Sequence, residues 1–220
     1  MGTALSCPPP GSLRLQLLHE MGHPTTRKKC RWRIIAVRLY PEGTFFFTVV
    51  TYRRRPILDQ PISRQALREA IDDVRERHPF SIDAWVLLPE HLHCIWTLPE
   101  GYSDFSLRWS LIKYGFSKRT KVLFHVREWM NDSKWHHRES TIWQRSFSEH
   151  LIRDEDEYQA YMDYIHYNPV KHGHVRRVIE WPYSTFHRYV QLGVYPEDWG
   201  AGTSMMNKDI HGENEKRWAR

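Results

Sequence analysis

A chain of 220 residues with 40% apolar side chains suits one folded domain with irregular ends, not two full domains. It carries 32 Lys and Arg against 26 Asp and Glu, a net +6, and is rich in aromatics, with 10 Trp, 11 Tyr and 9 Phe. That balance excludes wholesale disorder and makes a nucleic acid a candidate partner, since cations neutralise phosphates and aromatic faces stack on unpaired bases.

The first 30 residues read as a poorly ordered extension: Pro8-Pro9-Pro10, a short amphipathic piece around Leu13 to Leu18, then Arg27-Lys28-Lys29. This start lacks signal-peptide order, and no run approaches the roughly 20 apolar residues of a membrane span, so a cytoplasmic location is expected. Cys7, Cys30 and Cys94 form neither a close pair nor a metal spacing and read as free thiols. Residues 31–198 are expected to form the single folded domain, and 199–220, rich in Gly, Asn, Lys and Glu, a loose tail.

Residues 44–52 (TFFFTVVTY) are β-branched and aromatic and predict a strand. Ser63 is expected to cap a helix running to about Arg77, with Leu67, Ala70, Ile71 and Val74 as its apolar stripe and Pro79 as its stop. Residues 82–88 and 91–98 predict two more strands, joined by the short Pro89-Glu90 turn as an antiparallel hairpin. Asp104 opens a second helix with Phe105, Trp109, Ile112 and Phe116 on one side, and Arg108, Lys113, Lys118, Arg119 and Lys121 around the rest. Residues 122–140, with His136-His137, read as an irregular surface insertion. A fourth strand is expected over 147–152. Asp154 then caps a last main helix whose first turn holds Glu155, Asp156 and Glu157, as the helix dipole favours, and which ends near Asn168-Pro169. The order β-α-β-β-α-β-α predicts an α+β fold, an antiparallel sheet with packed helices in ferredoxin-like or RNA-recognition-like topology.

Two features carry candidate chemistry. In His91-Leu92-His93, strand alternation puts both imidazoles on one face and Leu92, Cys94, Trp96 and Leu98 on the other. Two such rings can bind one divalent cation, although among 14 His the pattern also arises as two half-exposed strand histidines. On the last helix, Tyr158, Tyr161, Met162 and Ile165 form the packing stripe, and Tyr164 and Asn168 sit together, one turn apart, at its edge. A phenol and an amide oxygen so placed can address one metal-bound phosphate; the plainer alternative is a core-edge tyrosine and a helix-end asparagine. Arg53-Arg54-Arg55, with Arg31, Trp32 and Arg33 before the first strand, offers phosphate contacts or a solvated charge run. His136 and His137 read as loop residues or, less directly, metal ligands.

The segments Leu88-Pro89-Glu90-His91-Leu92-His93-Cys94-Ile95-Trp96 and Tyr164-Ile165-His166-Tyr167-Asn168-Pro169-Val170-Lys171-His172-Gly173 resemble the REP-associated tyrosine transposases. These are relatives of the single-tyrosine, His-hydrophobic-His (HUH) transposases of single-strand insertion sequences. The resemblance extends through Trp143-Gln144-Arg145 and the run from Trp181 to Arg188, and spans roughly residues 40–200. It implies an HUH-type endonuclease and strand transferase acting on single-stranded DNA beside hairpins of small palindromes, the REP elements. By motif, Tyr164 is the implied nucleophile, and His91, His93 and Asn168 the implied ligands of Mg²⁺ or Mn²⁺. The insertion-sequence enzymes usually carry Gln at the last position, and Asn is shorter. From their charge and place in the chain, Arg53, Arg54, Arg55, Lys113 and Arg188 are the expected DNA contacts, with Ser184 and His187 expected near substrate. No general base is identifiable; Glu90 and His150 are the side chains the motifs offer. A single-strand binding module and a relaxase are the competing classes, the first needing exposed aromatics on the central strands and the second a third histidine near the pair. A repressor derived from a transposase is the remaining alternative. Neither oligomeric state nor recognised sequence follows from the chain.

Overall fold

The β-branched and aromatic run Thr44–Val50 forms strand β1. The computed structural model describes residues 43–201; the extension 1–30, Cys7, Cys30, Arg31 to Arg33 and most of the tail lie outside the described residues. Helix α1 spans Pro61–Arg77. It starts earlier than Ser63, because Pro61 at the first turn has its φ preset for a helix, and Ser63 is buried inside that turn rather than capping it. Strands β2 (Ser81–Leu87) and β3 (His91–Thr97) form the expected hairpin, closed by Leu88 N–H donating to the His91 carbonyl at 2.9 Å.

Helix α2 (Phe105–Phe124) is capped as expected, Asp104 Oδ1 accepting from Leu107 N–H at 2.8 Å. The segment after it is not wholly irregular: α3 (Asp132–His136) forms there, with His136 and His137 exposed beyond its packed side. Strand β4 is Ser148–Leu151. Helix α4 (Glu155–Lys171) begins on Asp154, which accepts from Glu157 N–H at 2.8 Å. It runs through the expected stop at Asn168-Pro169: proline forfeits one backbone bond, but Pro169 is buried, and His172 N–H donates to the Asn168 carbonyl at 3.0 Å. A short helix α5 (Phe186–Gln191) follows.

The described strands form one sheet in the order β2-β3-β1-β4, with every neighbouring pair antiparallel. With α1 between β1 and β2, and α2 followed by the short α3 between β3 and β4, this is the ferredoxin-like arrangement. Period-two alternation divides the core. Phe47, Val49, Leu92, Cys94 and Trp96 face α1 and α2, where Trp96 stacks on Trp109 at 4.2 Å between ring centroids. Phe46, Ala84, Val86 and Ile95 face α4 and α5, meeting Tyr158, Tyr161, Met162, Ile165 and Phe186. Each such buried apolar side chain contributes about 1.5–3 kcal/mol, so slipping β3 by one residue would exchange both cores at once.

Residues 183–185 lie along the outer edge of β2: Leu87 N–H donates to the Tyr183 carbonyl and Thr185 N–H to the Trp85 carbonyl, each at 2.9 Å. The run 181–188 thus packs on the domain as expected. Trp199, at the head of the anticipated loose tail, is buried beside Tyr195 at 4.7 Å between ring centroids. Two cations differ from their expected surface position. Arg108 is buried, its guanidinium donating to the carbonyls of Asp104 (2.7 Å), Pro79 (3.2 Å) and His78 (3.3 Å). Lys113 is half-buried and donates to the carbonyls of Gln144 (3.0 Å) and Arg145 (3.2 Å). Cys94 is a buried free thiol, its pKa pushed well up by burial. Among the described residues no helix is long and apolar enough to cross a membrane.

Candidate metal and nucleophile site

Because β3 alternates and α4 lies over one face of the sheet, His91 and His93 are carried beneath α4. Both are buried, at 1% and 0% exposure, with ring centroids 4.8 Å apart and planes at 80°. Each ring is held from behind through Nδ1. His93 Nδ1 lies 2.8 Å from Thr48 Oγ1, on the residue directly opposite it in β1. His91 Nδ1 lies 3.1 Å from Glu90 Oε1. In the tautomer with the proton on Nδ1, both rings donate backwards and turn Nε2 inward as a lone-pair donor.

The electrostatics favour that state. Burial lowers the pKa of His91 and outweighs the opposing hydrogen bond and charge of Glu90, which keeps the ring neutral. Burial pushes Glu90 up, but the hydrogen bond it accepts from His91 and the Arg54 guanidinium at 3.8 Å carry it down to about 2. Glu90 is therefore a carboxylate committed to the back of His91.

From α4, Tyr164 and Asn168 descend on the same side. Tyr158 and Tyr161 are sealed in the core at 3% and 2% exposure, and burial, with the charge of Glu157, pushes Tyr161 up to about 12. Tyr164 is only half-buried, its ring 5.3 Å from that of His93 and 5.9 Å from that of Phe46. Lys171 Nζ stands 4.9 Å from the Tyr164 ring centroid, two helical turns along. Asn168 is fully buried. Among the described residues neither of its amide atoms has a hydrogen-bond partner, and neither does His91 Nε2. Leaving such groups unsatisfied costs about 1–3 kcal/mol each, and a bound ion would relieve the two that offer a lone pair, Asn168 Oδ1 and His91 Nε2. Two imidazoles and an amide oxygen are a donor set that suits Mn²⁺ and is compatible with Mg²⁺. The residues present therefore fit the implied cation.

One neighbour escaped the sequence reading, which found no third histidine near the pair. His172, one turn beyond Asn168, brings its ring centroid to 5.3 Å from His91. The four-residue spacing from Asn168 was the available signal. Among the described residues no three His, Cys, Asp or Glu side chains are disposed to hold one ion, so His172 borders the site without completing a three-histidine set.

The other candidate residues are scattered. Arg53 and Arg54 leave β1 at the end where Val50 pairs with His91, in a turn with φ of 58° and 50°. Two successive arginines in the left-handed region cost of order 1–3 kcal/mol each, a strain that clusters at functional sites. Arg53 and Arg55 flank Trp129, at 4.6 and 5.2 Å from its ring, and Arg55 also donates to the Phe124 carbonyl at 2.5 Å. Arg188 lies at the opposite end of the sheet, donating to the Asp83 carbonyl. Ser184 Oγ accepts from Phe186 N–H, and His187 Nε2 meets the Trp181 carbonyl at 2.9 Å. His150 is paired with Glu157 at 2.5 Å, on the edge strand.

Comparison with known proteins adds the following. No family model matches the chain. A REP-associated tyrosine transposase of Escherichia coli (strain K12) is 48% identical over 157 residues, which is 71% of this chain and 84% of the relative. A relative from Haemophilus influenzae with the same family name is 41% identical over 167 residues, 76% of this chain and 92% of its own. The solved structure of a REP-associated tyrosine transposase bound to a REP hairpin superposes with a TM-score of 0.62 at 45% identity, covering 76% of this chain and 90% of that one.

Proposed function

Because the chain belongs to the REP-associated tyrosine transposases, we propose that it is a metal-dependent endonuclease and strand transferase. Its substrate is single-stranded DNA beside REP-type hairpins, cut through a 5′-phosphotyrosine intermediate on Tyr164. The observation that carries this reading is the Tyr164 ring 5.3 Å from that of His93, its hydroxyl buried on that side, with Asn168 one turn on and His91 beside His93. The relative of known structure binds a REP hairpin, which supports the same partner here.

His91, His93 and Asn168 would hold Mg²⁺ or Mn²⁺, which when bound polarises the scissile phosphate. The protein supplies the rest. Thr48 and Glu90 fix the two imidazoles, and α4 carries the phenol to the phosphate. Tyr164 Oη forms a bond to phosphorus as the bond to the 3′ oxygen breaks. The phenolic proton passes to solvent, and the departing 3′ oxygen takes one up as a hydroxyl. The phosphotyrosine retains the phosphodiester energy, so a second 3′-hydroxyl reverses the step and rejoins strands. The Lys171 ammonium stands beside the Tyr164 ring, where it can pair with a phosphate oxygen. A cytoplasmic location belongs to the same reading.

The alternative of a single-strand binding module, with bases stacked on the sheet, meets a sheet already covered by helices on both faces. The deciding test is Tyr164→Phe, assayed with Mn²⁺ and 3′-labelled hairpin DNA on a denaturing gel. The native protein should trap the label covalently and the variant should not. Equal adduct from the variant removes Tyr164 as nucleophile.

A further inference from the structure

Helix α4 carries Tyr164 and Asn168 on one edge of its buried stripe and His166 on the other. At about 100° per residue, His166 stands about 200° round the helix from Tyr164, and Asn168 about 200° on from His166. His166 is fully buried, and its Nε2 lies 3.0 Å from Thr185 Oγ1. We propose that His166 and Thr185 are positioning residues: their hydrogen bond fixes the rotation of α4 about its axis, and so the placement of Tyr164 over His93. The inference deepens the function proposed above and rests on it for what the placement serves, but not for the placement itself.

Thr185 is itself anchored to the sheet. Its N–H donates to the Trp85 carbonyl at 2.9 Å, and Trp85 N–H donates to its Oγ1 at the same distance. Ser184 forms a bridge with Val86, so the run 183–185 adds to the outer edge of β2 as a short antiparallel segment. In the tautomer with the proton on Nε2, His166 donates to Thr185 Oγ1, which also accepts from Trp85 N–H and donates to the Trp85 carbonyl at 3.3 Å. A hydroxyl has two lone pairs and one proton, so all three places are then used. The His166 ring is boxed by Tyr195, Phe186 and Tyr189, at 5.1, 5.7 and 5.6 Å between ring centroids. Sheet edge, hydroxyl and imidazole thus form one continuous connection to α4.

The apolar packing of α4 does not fix that rotation. Tyr158, Tyr161, Met162 and Ile165 join the core mainly through apolar contact, which is attractive but not directional. A hydrogen bond is directional and weakens steeply once donor and acceptor fall out of line. A turn of α4 by about 20° moves a side-chain atom about 5–6 Å from the helix axis by about 2 Å. Misplacing a reacting group by about 1 Å can cost on the order of 100-fold in rate. Tyr164 and Asn168 ride on the same helix, so the rotation that displaces the phenol displaces the amide with it.

The test compares His166→Phe and Thr185→Val, which keep volume and remove the hydrogen bond, with His166→Gln and Thr185→Ser, which restore a donor or a hydroxyl. Each full-length variant is assayed at a temperature where circular dichroism shows it folded. With saturating Mn²⁺ and hairpin DNA bearing an unpaired flank, the first pair should form adduct about 10–100-fold more slowly than the native protein, with KM within about twofold. The second pair should recover to within about threefold of the native rate. His166→Phe combined with Thr185→Val should be no slower than the slower single variant, since both changes remove one bond. A second readout involves neither DNA nor chemistry. The nuclear Overhauser effect between the Tyr164 and His93 rings, 5.3 Å apart, should weaken severalfold in Thr185→Val and return in Thr185→Ser. A native rate in the first pair, a change confined to KM, or an unaltered ring-to-ring signal would overturn the inference. If His166→Phe does not fold, the half-buried Thr185 variants carry the test. Absence of adduct from the native protein bears on Tyr164 as nucleophile alone, and the ring-to-ring signal still decides the positioning.

Discussion

Thr48 and His93 face each other directly across the β1–β3 ladder, and Thr48 Oγ1 lies 2.8 Å from His93 Nδ1. Glu90 makes the equivalent contact to His91 at 3.1 Å. Each imidazole thus has its Nδ1 committed to orientation. Removing either partner should weaken divalent-metal affinity by about 10–100-fold without unfolding the protein. Isothermal titration of Mn²⁺ into Thr48→Val and Glu90→Ala would measure it. Native affinity in both variants would mean that the rings are not presented to a metal in this way.

The ligands themselves should be graded. His91→Ala and His93→Ala should each abolish strand cleavage, as should EDTA on the native protein. Asn168→Ala should leave residual activity, since water can replace an amide oxygen but not a buried imidazole. Cleavage that survives metal stripping with EDTA would dismiss the metal site altogether.

Lys113 should report on pH rather than on DNA. Burial lowers its pKa from 10.5 to about 8, more than the nearby Glu139 raises it. Below pH 8 both folded and unfolded chains are protonated here, and the folded state carries the full cost of the buried charge. Between pH 8 and 10.5 the unfolded chain binds more protons, so this site adds stability as pH rises. Allowing for partial exposure, the gain is about 1–2 kcal/mol. Urea titrations at pH 7.5 and 10 should show that increment in the native chain relative to Lys113→Met. The same variant should keep the native salt dependence of DNA binding, because its ammonium is already held by two carbonyls. A reduced salt slope would restore Lys113 as a phosphate contact.

Arg108 should be a stability residue. Its guanidinium satisfies three carbonyls that otherwise lack this donor, at the junction of α2 with the end of α1. Arg108→Met keeps the stem and removes the donors, and should lower unfolding free energy by about 2–4 kcal/mol. DNA binding by the protein that remains folded should be unchanged. A chemical-denaturation midpoint equal to the native one would return Arg108 to the solvent-facing side of the helix, where helical periodicity had set it.

What the sequence determined by itself was everything carried by short-range periodicity. Alternation in His91-Leu92-His93 placed the two imidazoles on one face before any neighbour was known, and the four-residue step put Tyr164 and Asn168 together on α4. The caps at Asp104 and Asp154 are local hydrogen bonds three residues long, so they too could be read directly. The rest was decided by tertiary structure, because it depends on register between distant segments. Thr48 meets His93 across 45 residues and Arg108 meets the Pro79 carbonyl across 29, and no local pattern encodes either. For the same reason Arg108 and Lys113 looked like surface cations: a helical wheel shows which side a residue is on, not which carbonyls wait there. The bond from His166 to Thr185 exists only because residues 183–185 return to the edge of β2, 100 positions along the chain from Trp85. Three separate stretches of chain meet at that hydroxyl, and packing alone brings them together.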